Sequence, residues 1–269
     1  RKQTDIMQLN PNAQTCKLKG GGEMDDICLP GESVIDINLG MRMIRTDGGF
    51  TYGTDALLLA AFARGGGAGR CADLGSGAGS ISLLLAAAGK YEHVTAVEAQ
   101  PDYAALARRN VLLNGISDRV DVLESDIREL PRGMRFDAVV SNPPYMKVSS
   151  GKAAADGGRN RSRHETRGGI SEFCAAAAQL LEWGSPFYVV YRPDRLCDLI
   201  CAMRDVGIEP KRMCYVQYDA LHEPSLVLAE GVRGGSAALR LLPALLLRDA
   251  SGCESERYRE IIGSMSFGS

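Results

Sequence analysis

A regular alternation of short apolar runs with helical patterns, between residues 70 and 206, constrains the fold most strongly. The runs at 70–74, 93–97, 120–123, 136–141 and 187–191 predict strands, and the segments between them predict helices. Strands that alternate with helices lie parallel in one sheet, because each helix returns the chain to the same edge. A closing strand pair is predicted at 212–218 and 225–230. The sequence therefore predicts an α/β fold, with helices on both faces of a mostly parallel sheet.

The segments around this alternation divide the chain into four predicted regions. Residues 1–32 form a polar N-terminal arm, and residues 33–66 contain a hairpin followed by a helix predicted at 54–64. Thr54 is the predicted N-cap of that helix, and Asp55 stands in its first turn, where the helix dipole favours an anion. Residues 67–249 form the α/β domain, and residues 250–269 form a C-terminal helix and tail.

Composition and residue spacing exclude several classes of protein. The chain has 269 residues, of which 45% are hydrophobic and 24% charged, as is usual for a globular protein. Its apolar runs are too short to span a bilayer, and its polar start does not resemble a signal peptide, so a cytoplasmic location is expected. Eight cysteines without a Cys-x-x-Cys pair, and three isolated histidines, predict reduced thiols and no metal. Nothing in the sequence sets the oligomeric state.

A glycine-rich turn, Asp73-Leu-Gly-Ser-Gly-Ala-Gly79, follows the first strand of the alternation. In an open parallel sheet this first strand-to-helix turn is where the chain approaches a nucleotide-like ligand. Gly75, Gly77 and Gly79 allow the backbone to come close and to adopt unusual dihedral angles. Ser80 stands where the dinucleotide fingerprint has a third Gly or Ala, which counts against NAD without excluding it.

Acidic residues lie at the ends of the first three strands and are candidates for cofactor binding. Asp73 can face an amino group of the cofactor, and Glu98 can accept both hydroxyls of a ribose. Asp126 can accept from the exocyclic amine of the cofactor's adenine, with the backbone of Ala99 and Ile127 alongside. The ribose contact fits NAD and S-adenosylmethionine equally. Two structural alternatives remain, since Glu98 can be a solvated strand end and Asp126 a helix N-cap.

The sequence Asn142-Pro143-Pro144-Tyr145 ends the fourth predicted strand and carries the candidate catalytic residues. An exocyclic amine on an aromatic ring is a poor nucleophile, because its lone pair is delocalised. The Asn142 carbonyl and a backbone carbonyl of the Pro143-Pro144 unit can each accept one amine hydrogen and so free that lone pair. Tyr145 offers a face for a base to stack on. The motif predicts methyl transfer to a planar nitrogen; the structural alternative is a proline turn that closes a strand.

A basic segment follows this motif, although the whole chain has a net charge of −2. Between residues 146 and 169 there are six basic residues and two acidic ones. In isolation the segment is a solvated surface insert, but its place directly after the motif favours a role in gripping phosphates. The candidate RNA-binding residues are Lys147, Arg159, Arg161, Arg163 and Arg167.

Together these motifs resemble class I S-adenosylmethionine-dependent methyltransferases and, among them, the bacterial valine-tRNA adenine-N6 methyltransferases. The resemblance covers residues 31–249, and its more specific parts are the segments 50–60 and 223–231. It implies a Rossmann-like seven-stranded sheet with an antiparallel last strand, with S-adenosylmethionine as the cofactor. It places Gly53, Thr54 and Asp55 against the methionine end of that cofactor. It also implies methylation of N6 of the adenine beside the anticodon of a tRNA. The glycine- and alanine-rich segment 146–168 and the first thirty residues depart from the family.

Three other functions stay open at this point. Release-factor glutamine methyltransferases use the same Asn-Pro-Pro-Tyr motif on a side-chain amide, but they usually carry an N-terminal helical domain that this chain does not offer. An NAD-dependent oxidoreductase would leave residues 142–145 unexplained. A non-catalytic RNA-binding module would bind RNA whether or not Asn142 is intact.

Overall fold

The computed structural model describes residues 27–46, 52–144 and 169–268. The chain enters through an antiparallel hairpin of strands β1 (Glu32–Asp36) and β2 (Arg42–Thr46), joined by a 3-10 turn at Asn38–Gly40. The predicted hairpin is confirmed. It packs on helix α3 (Pro101–Leu113), where the Asn110 Oδ1 atom accepts from the Ile44 backbone N–H at 2.8 Å.

The central sheet contains the seven long strands that were predicted. They are β3 (Arg70–Leu74), β4 (His93–Glu98), β5 (Val120–Glu124), β6 (Ala138–Ser141), β7 (Pro186–Tyr191), β8 (Ile208–Gln217) and β9 (Pro224–Arg233). Their order across the sheet is β8-β9-β7-β6-β3-β4-β5. The last strand, β9, is antiparallel to both of its neighbours, as predicted. Two additional two-residue strands, β10 (Arg240–Leu241) and β11 (Leu245–Leu246), pair with the outer edge of β8.

Helices cover both faces of the sheet, which confirms the predicted layers. Besides α3 they are α1 (Thr54–Phe62), α2 (Ser80–Ala87), α4 (Ile170–Leu180), α5 (Leu196–Asp205) and α6 (Glu256–Ser264). One core lies among α1, α2, α3, α6 and the sheet, with Phe62 and Tyr188 among its large buried side chains. The other lies beneath α4 and α5 and contains Phe136 and Phe187.

Helix α1 corrects two sequence-based expectations. Its N-cap is Gly53, in an extended conformation without a side-chain cap, so the predicted capping role of Thr54 is wrong. The helix ends at Phe62 and not at residue 64, because the Lys90 ammonium donates to the carbonyls of Ala60 and Ala61 (2.8 and 2.9 Å) and of Ala63. Lys90 precedes β4, so the C-terminal end of α1 lies at the amino edge of the sheet. The N-terminal end of α1 therefore lies at the carboxyl edge.

The order of the strands reverses beside β3, which has β4 on one side and β6 on the other. In open α/β sheets such a reversal opens a crevice beyond the carboxyl ends of the strands. Leu74 of β3 is in register with Ser141 of β6, and the Ser141 hydroxyl donates to the Leu74 carbonyl at 2.8 Å. The glycine turn after β3 and the residues after β6 are thereby brought side by side.

Within the three described segments, no helix is long and apolar enough to cross a bilayer. The same segments hold no cluster of three or more side chains able to ligate a metal ion.

Candidate active site

The glycine turn is held against β4 and is open on its other side. The N–H groups of Gly75 and Ser76 both donate to the Val97 carbonyl, at 2.9 and 3.0 Å. Gly75, Gly77 and Gly79 have φ angles of 70°, 55° and 86°, which residues other than glycine rarely adopt. A Cβ atom on Gly77 would meet nothing within 4 Å. A ligand can therefore approach the backbone at this point.

Glu98, at the end of β4, is fixed by the turn and is not a solvated strand end. Its side chain is almost entirely buried, with 5% of the residue exposed. Its Oε2 atom accepts from the Gly77 N–H at 2.8 Å, and Oε1 accepts from the Gln100 backbone N–H at 2.9 Å. The Gln100 Nε2 atom also donates to Oε1, at 3.3 Å. Each carboxylate oxygen has two acceptor positions, so these bonds orient Glu98 and leave acceptor capacity on Oε2 for a ribose.

Asp73 lies within β3, next to the glycine turn, and its contact with a cofactor amino group stays a prediction. The residue is fully enclosed, and its Oδ2 atom accepts from the Ser82 hydroxyl at 2.7 Å. Burial raises the pKa of Asp73 to about 7, and the nearby Glu98 carboxylate adds to this, while the Ser82 hydrogen bond opposes it. The Oδ1 atom of Asp73 and the Ser76 hydroxyl are buried without hydrogen-bond partners. The turn therefore has an acceptor and a donor that a polar ligand could satisfy.

Asp126 has the structural role that was given as its alternative. It caps the short turn Ile127–Glu129 by accepting from the Arg128 N–H at 2.9 Å. The Arg128 guanidinium also binds both of its oxygens, at 2.9 and 2.6 Å, and this hydrogen bonding lowers the pKa of Asp126. The backbone of Ala99 and Ile127 lies at the same edge of the sheet. A contact of these residues with a cofactor's adenine stays a prediction.

Asn142 directly follows β6 and stands abreast of the glycine turn. The Asn142 side chain is partly buried, Pro143 is buried and Pro144 is partly buried. The Asn142 Nδ2 atom donates to Asp55 Oδ2 at 2.8 Å, so the N-terminal turn of α1, with Thr54 and Asp55, forms one wall beside it. The predicted site residues that lie outside the described segments are Tyr145, Lys147, Arg159, Arg161, Arg163 and Arg167.

Sequence reasoning missed three links in this arrangement. It did not identify Ser82 as the partner of Asp73, nor Gln100 as a partner of Glu98, nor the bond between Asp55 and Asn142. Gln100 could have been noticed as the N-cap of a helix that begins with proline. The contact between Asp55 and Asn142 joins residues 87 positions apart, and no local pattern records it.

The arrangement of strands and the glycine turn define a class I methyltransferase fold. A predicted O-methyltransferase from Agrobacterium tumefaciens superposes with a TM-score of 0.63 at 23% identity, over 79% of this chain and 97% of that one. A Listeria monocytogenes protein assigned to the class I S-adenosylmethionine-dependent methyltransferases superposes with a TM-score of 0.54 at 12% identity, over 78% of this chain and 67% of that one. These likenesses show the fold alone.

Sequence comparison then identifies the family. Residues 46–156 match the family described as methyltransferase small domain. The tRNA1(Val) (adenine(37)-N6)-methyltransferase of Porphyromonas gingivalis strain W83 is 32% identical in an alignment of length 218 that covers 77% of this chain and 84% of that protein. The enzyme of the same name from Aeromonas hydrophila is 29% identical in an alignment of length 220 that covers 78% of this chain and 87% of that protein. The chain belongs to the tRNA1(Val) (adenine(37)-N6)-methyltransferase family, as the resemblance predicted.

Proposed function

We propose that this chain transfers a methyl group from S-adenosylmethionine to the exocyclic N6 amine of an adenine in tRNA. The observation that supports this most is the position of Asn142, which stands beside the glycine turn at the point where the strand order reverses. The names of the relatives support the rest of the proposal, including adenine 37 of tRNA1(Val) as the first substrate to test.

The residues of the carboxyl edge fit this cofactor chemically. S-adenosylmethionine carries a ribose, an amino-acid end and a sulfonium, and it supplies an electrophilic methyl group when bound. Glu98 would hold the ribose hydroxyls, because it is already oriented by Gly77 and keeps acceptor capacity. The open side of Gly77 would admit the cofactor against the backbone. Ser76 and Asp73, with buried polar atoms that lack partners, would serve its amino-acid end.

Asn142 and the peptide unit of Pro143 would then activate the acceptor. The Asn142 Oδ1 atom and the Pro143 carbonyl each accept one hydrogen of the adenine amine, which draws the nitrogen toward tetrahedral geometry and localises its lone pair. With that lone pair the nitrogen would bond to the methyl carbon while the bond between that carbon and the sulfonium sulfur breaks, which leaves S-adenosylhomocysteine. One proton of the methylated amine would then pass to water. Proline suits this position because it has no N–H to compete for the carbonyl and its φ angle is fixed.

The basic segment after this motif is proposed to bind the phosphates of the RNA. Each phosphate contact releases counterions, so the logarithm of affinity should fall linearly with the logarithm of salt concentration. Loss of three contacts should reduce that slope by about 2 to 3, since each contact contributes about 0.7 to 0.9. We expect this reduction when Arg159, Arg161 and Arg163 are all changed to Gln.

Three exposed arginines at the amino edge of the sheet provide the matched control, namely Arg132, Arg135 and Arg204. The same change to Gln at these positions should leave the slope as it is in the wild type. Affinity is measured by filter binding of a tRNA transcript across a salt series. An equal slope in the wild type and in the variant of Arg159, Arg161 and Arg163 would show that the segment does not contact the phosphates of the RNA.

The proposed function is tested by nucleoside mass spectrometry of unmodified tRNA1(Val) transcript after incubation with enzyme and S-adenosylmethionine. We expect N6-methyladenosine at position 37, and none in a transcript that carries guanosine at that position. A parallel reaction with labelled methyl donor and release factor tests the glutamine alternative, and label only in protein would reject the proposal. Calorimetry with S-adenosylhomocysteine and NADH tests the remaining alternative, and preferential binding of NADH would equally reject it.

A further inference from the structure

The amide of Asn142 is held in one orientation by a partner from a distant part of the chain. Its Nδ2 atom donates to Asp55 Oδ2 at 2.8 Å. A carboxylate can only accept hydrogen bonds, whereas an amide has a donor end and an acceptor end. The nitrogen must therefore face Asp55, and the carbonyl oxygen must point away from it. The direction of the amide follows from the chemistry of its partner.

Asp55 is itself fixed in place, so it can impose this orientation. Its second oxygen, Oδ1, accepts from the Ala56 backbone N–H at 2.9 Å. The residues that follow, Ala56 to Phe62, are all buried, which anchors the helix that carries Asp55. A Cβ atom on Gly53 would collide with Asp55 Oδ1, so a glycine at that position leaves the room that the carboxylate occupies.

We propose that Asp55 is a positioning residue for methyl transfer, which keeps the Asn142 amide turned with its acceptor oxygen toward the substrate amine. This rests on the proposed function, in which Asn142 Oδ1 accepts an amine hydrogen. It differs from the role that the family resemblance implies for Asp55, a contact with the methionine end of the cofactor. A positioning residue affects the rate of transfer at saturating cofactor, whereas a cofactor contact affects cofactor affinity.

The test exchanges the donor and acceptor roles of residues 55 and 142. In Asp55→Asn, the new amide can donate to Asn142 Oδ1, so the Asn142 side chain can turn and present its NH₂ group to the amine. In Asn142→Asp, two carboxylates face each other, and like charges at this separation repel. In the double variant the bond is restored with reversed direction, because the amide introduced at position 55 donates to the carboxylate introduced at position 142. The second oxygen of that carboxylate can then accept the amine hydrogen.

Single-turnover methylation of tRNA transcript is measured for the wild type and the three variants at saturating S-adenosylmethionine. We expect Asp55→Asn to be about 10- to 100-fold slower, which is the range for loss of a hydrogen bond to a charged group. Asn142→Asp should be slower by about 100-fold or more. The rate of the double variant should recover to within about 10-fold of the wild type. If the two substitutions acted independently, their rate losses would instead multiply.

Two further measurements, the affinity and the stoichiometry of cofactor-product binding, separate a positioning role from a loss of folding or of cofactor binding. The dissociation constant of S-adenosylhomocysteine, measured by calorimetry, should change by less than about threefold in every variant. The binding stoichiometry from the same titration reports the folded fraction of each variant. Recovery in the double variant would be the signature of positioning, since a residue that only supports the fold would not be rescued by a second change in the site.

Two outcomes would overturn the proposal. One is a double variant no faster than the slower single variant, and the other is a loss in Asp55→Asn that lies entirely in cofactor affinity. Failure of the proposed function is seen separately, in the wild type itself. A wild-type enzyme that leaves tRNA unmethylated would defeat the function and the positioning role together, whereas an active wild type without rescue defeats only the positioning role.

Discussion

Replacing Asp73 by Asn should change how the stability of the ligand-free protein depends on pH. Asp73 is fully enclosed, and burial raises its pKa from the ordinary 3.8 to about 7. Between these two values the folded protein keeps the proton and the unfolded chain releases it. Linkage then requires the free energy of unfolding to fall as pH rises through this window. The full difference corresponds to about 4 kcal/mol, at 1.36 kcal/mol per pKa unit.

The range from pH 5 to pH 8 captures about 2 to 3 kcal/mol of this effect and avoids acid unfolding. Urea unfolding of the wild type and of Asp73→Asn is measured at intervals across that range. The wild type should lose about 2 to 3 kcal/mol relative to the variant between pH 5 and pH 8. Because the quantity compared is the difference in free energy of unfolding between wild type and variant at each pH, the contributions of the other ionisable groups cancel.

A matched control is Asp194→Asn. Asp194 is exposed, and hydrogen bonding to Arg192 lowers its pKa, so it stays ionised in the folded and unfolded chain throughout this range. The free-energy difference between wild type and this control should be constant within about 0.5 kcal/mol. The same constancy for Asp73→Asn would refute the argument that burial holds a proton on Asp73.

Two further predictions concern stability at the opposite edge of the sheet. Lys90→Met removes the donor to three carbonyls at the end of α1 and should lower the free energy of unfolding by about 2 to 3 kcal/mol in urea titrations; a loss under about 0.5 kcal/mol would show that water replaces the ammonium fully. Glu230→Ala leaves the buried Arg212 guanidinium without its carboxylate partner at 2.7 Å and should cost about 3 to 5 kcal/mol. Changing Arg212 to Met as well should restore part of that loss, and a double variant less stable than the single one would contradict the reasoning.

Much of the fold followed from local patterns in the sequence. The apolar runs gave the strands to within a few residues, because strands buried on both faces read as continuous apolar segments. The resemblance, and not periodicity, gave the antiparallel last strand. The N-cap and the end of α1 were predicted wrongly because this helix is buried on every side from residue 56 to residue 62, and its ends depend on Gly53 and on Lys90, which is distant in sequence.

The candidate site was predicted less completely than the fold. Residue types indicated Glu98 and Asn142 correctly as groups at the carboxyl edge, since the ends of parallel strands meet there. The depth of Asp73 and the pairing of Asp126 with Arg128 depend on side-chain packing that no motif records. The same is true of the bond between Asp55 and Asn142, which exists only because α1 is docked beside β6.

The central claim is that Asn142 activates the amine of the substrate and does not hold the cofactor. The most direct measurement is the single-turnover rate of tRNA methylation by Asn142→Ala at saturating S-adenosylmethionine, with cofactor affinity measured in parallel. We expect the rate to fall by about 100- to 1000-fold, the usual cost of removing one such electrostatic contact, while cofactor affinity stays within about threefold of the wild type. A rate within a few-fold of the wild type, or a loss explained by cofactor affinity alone, would contradict the claim.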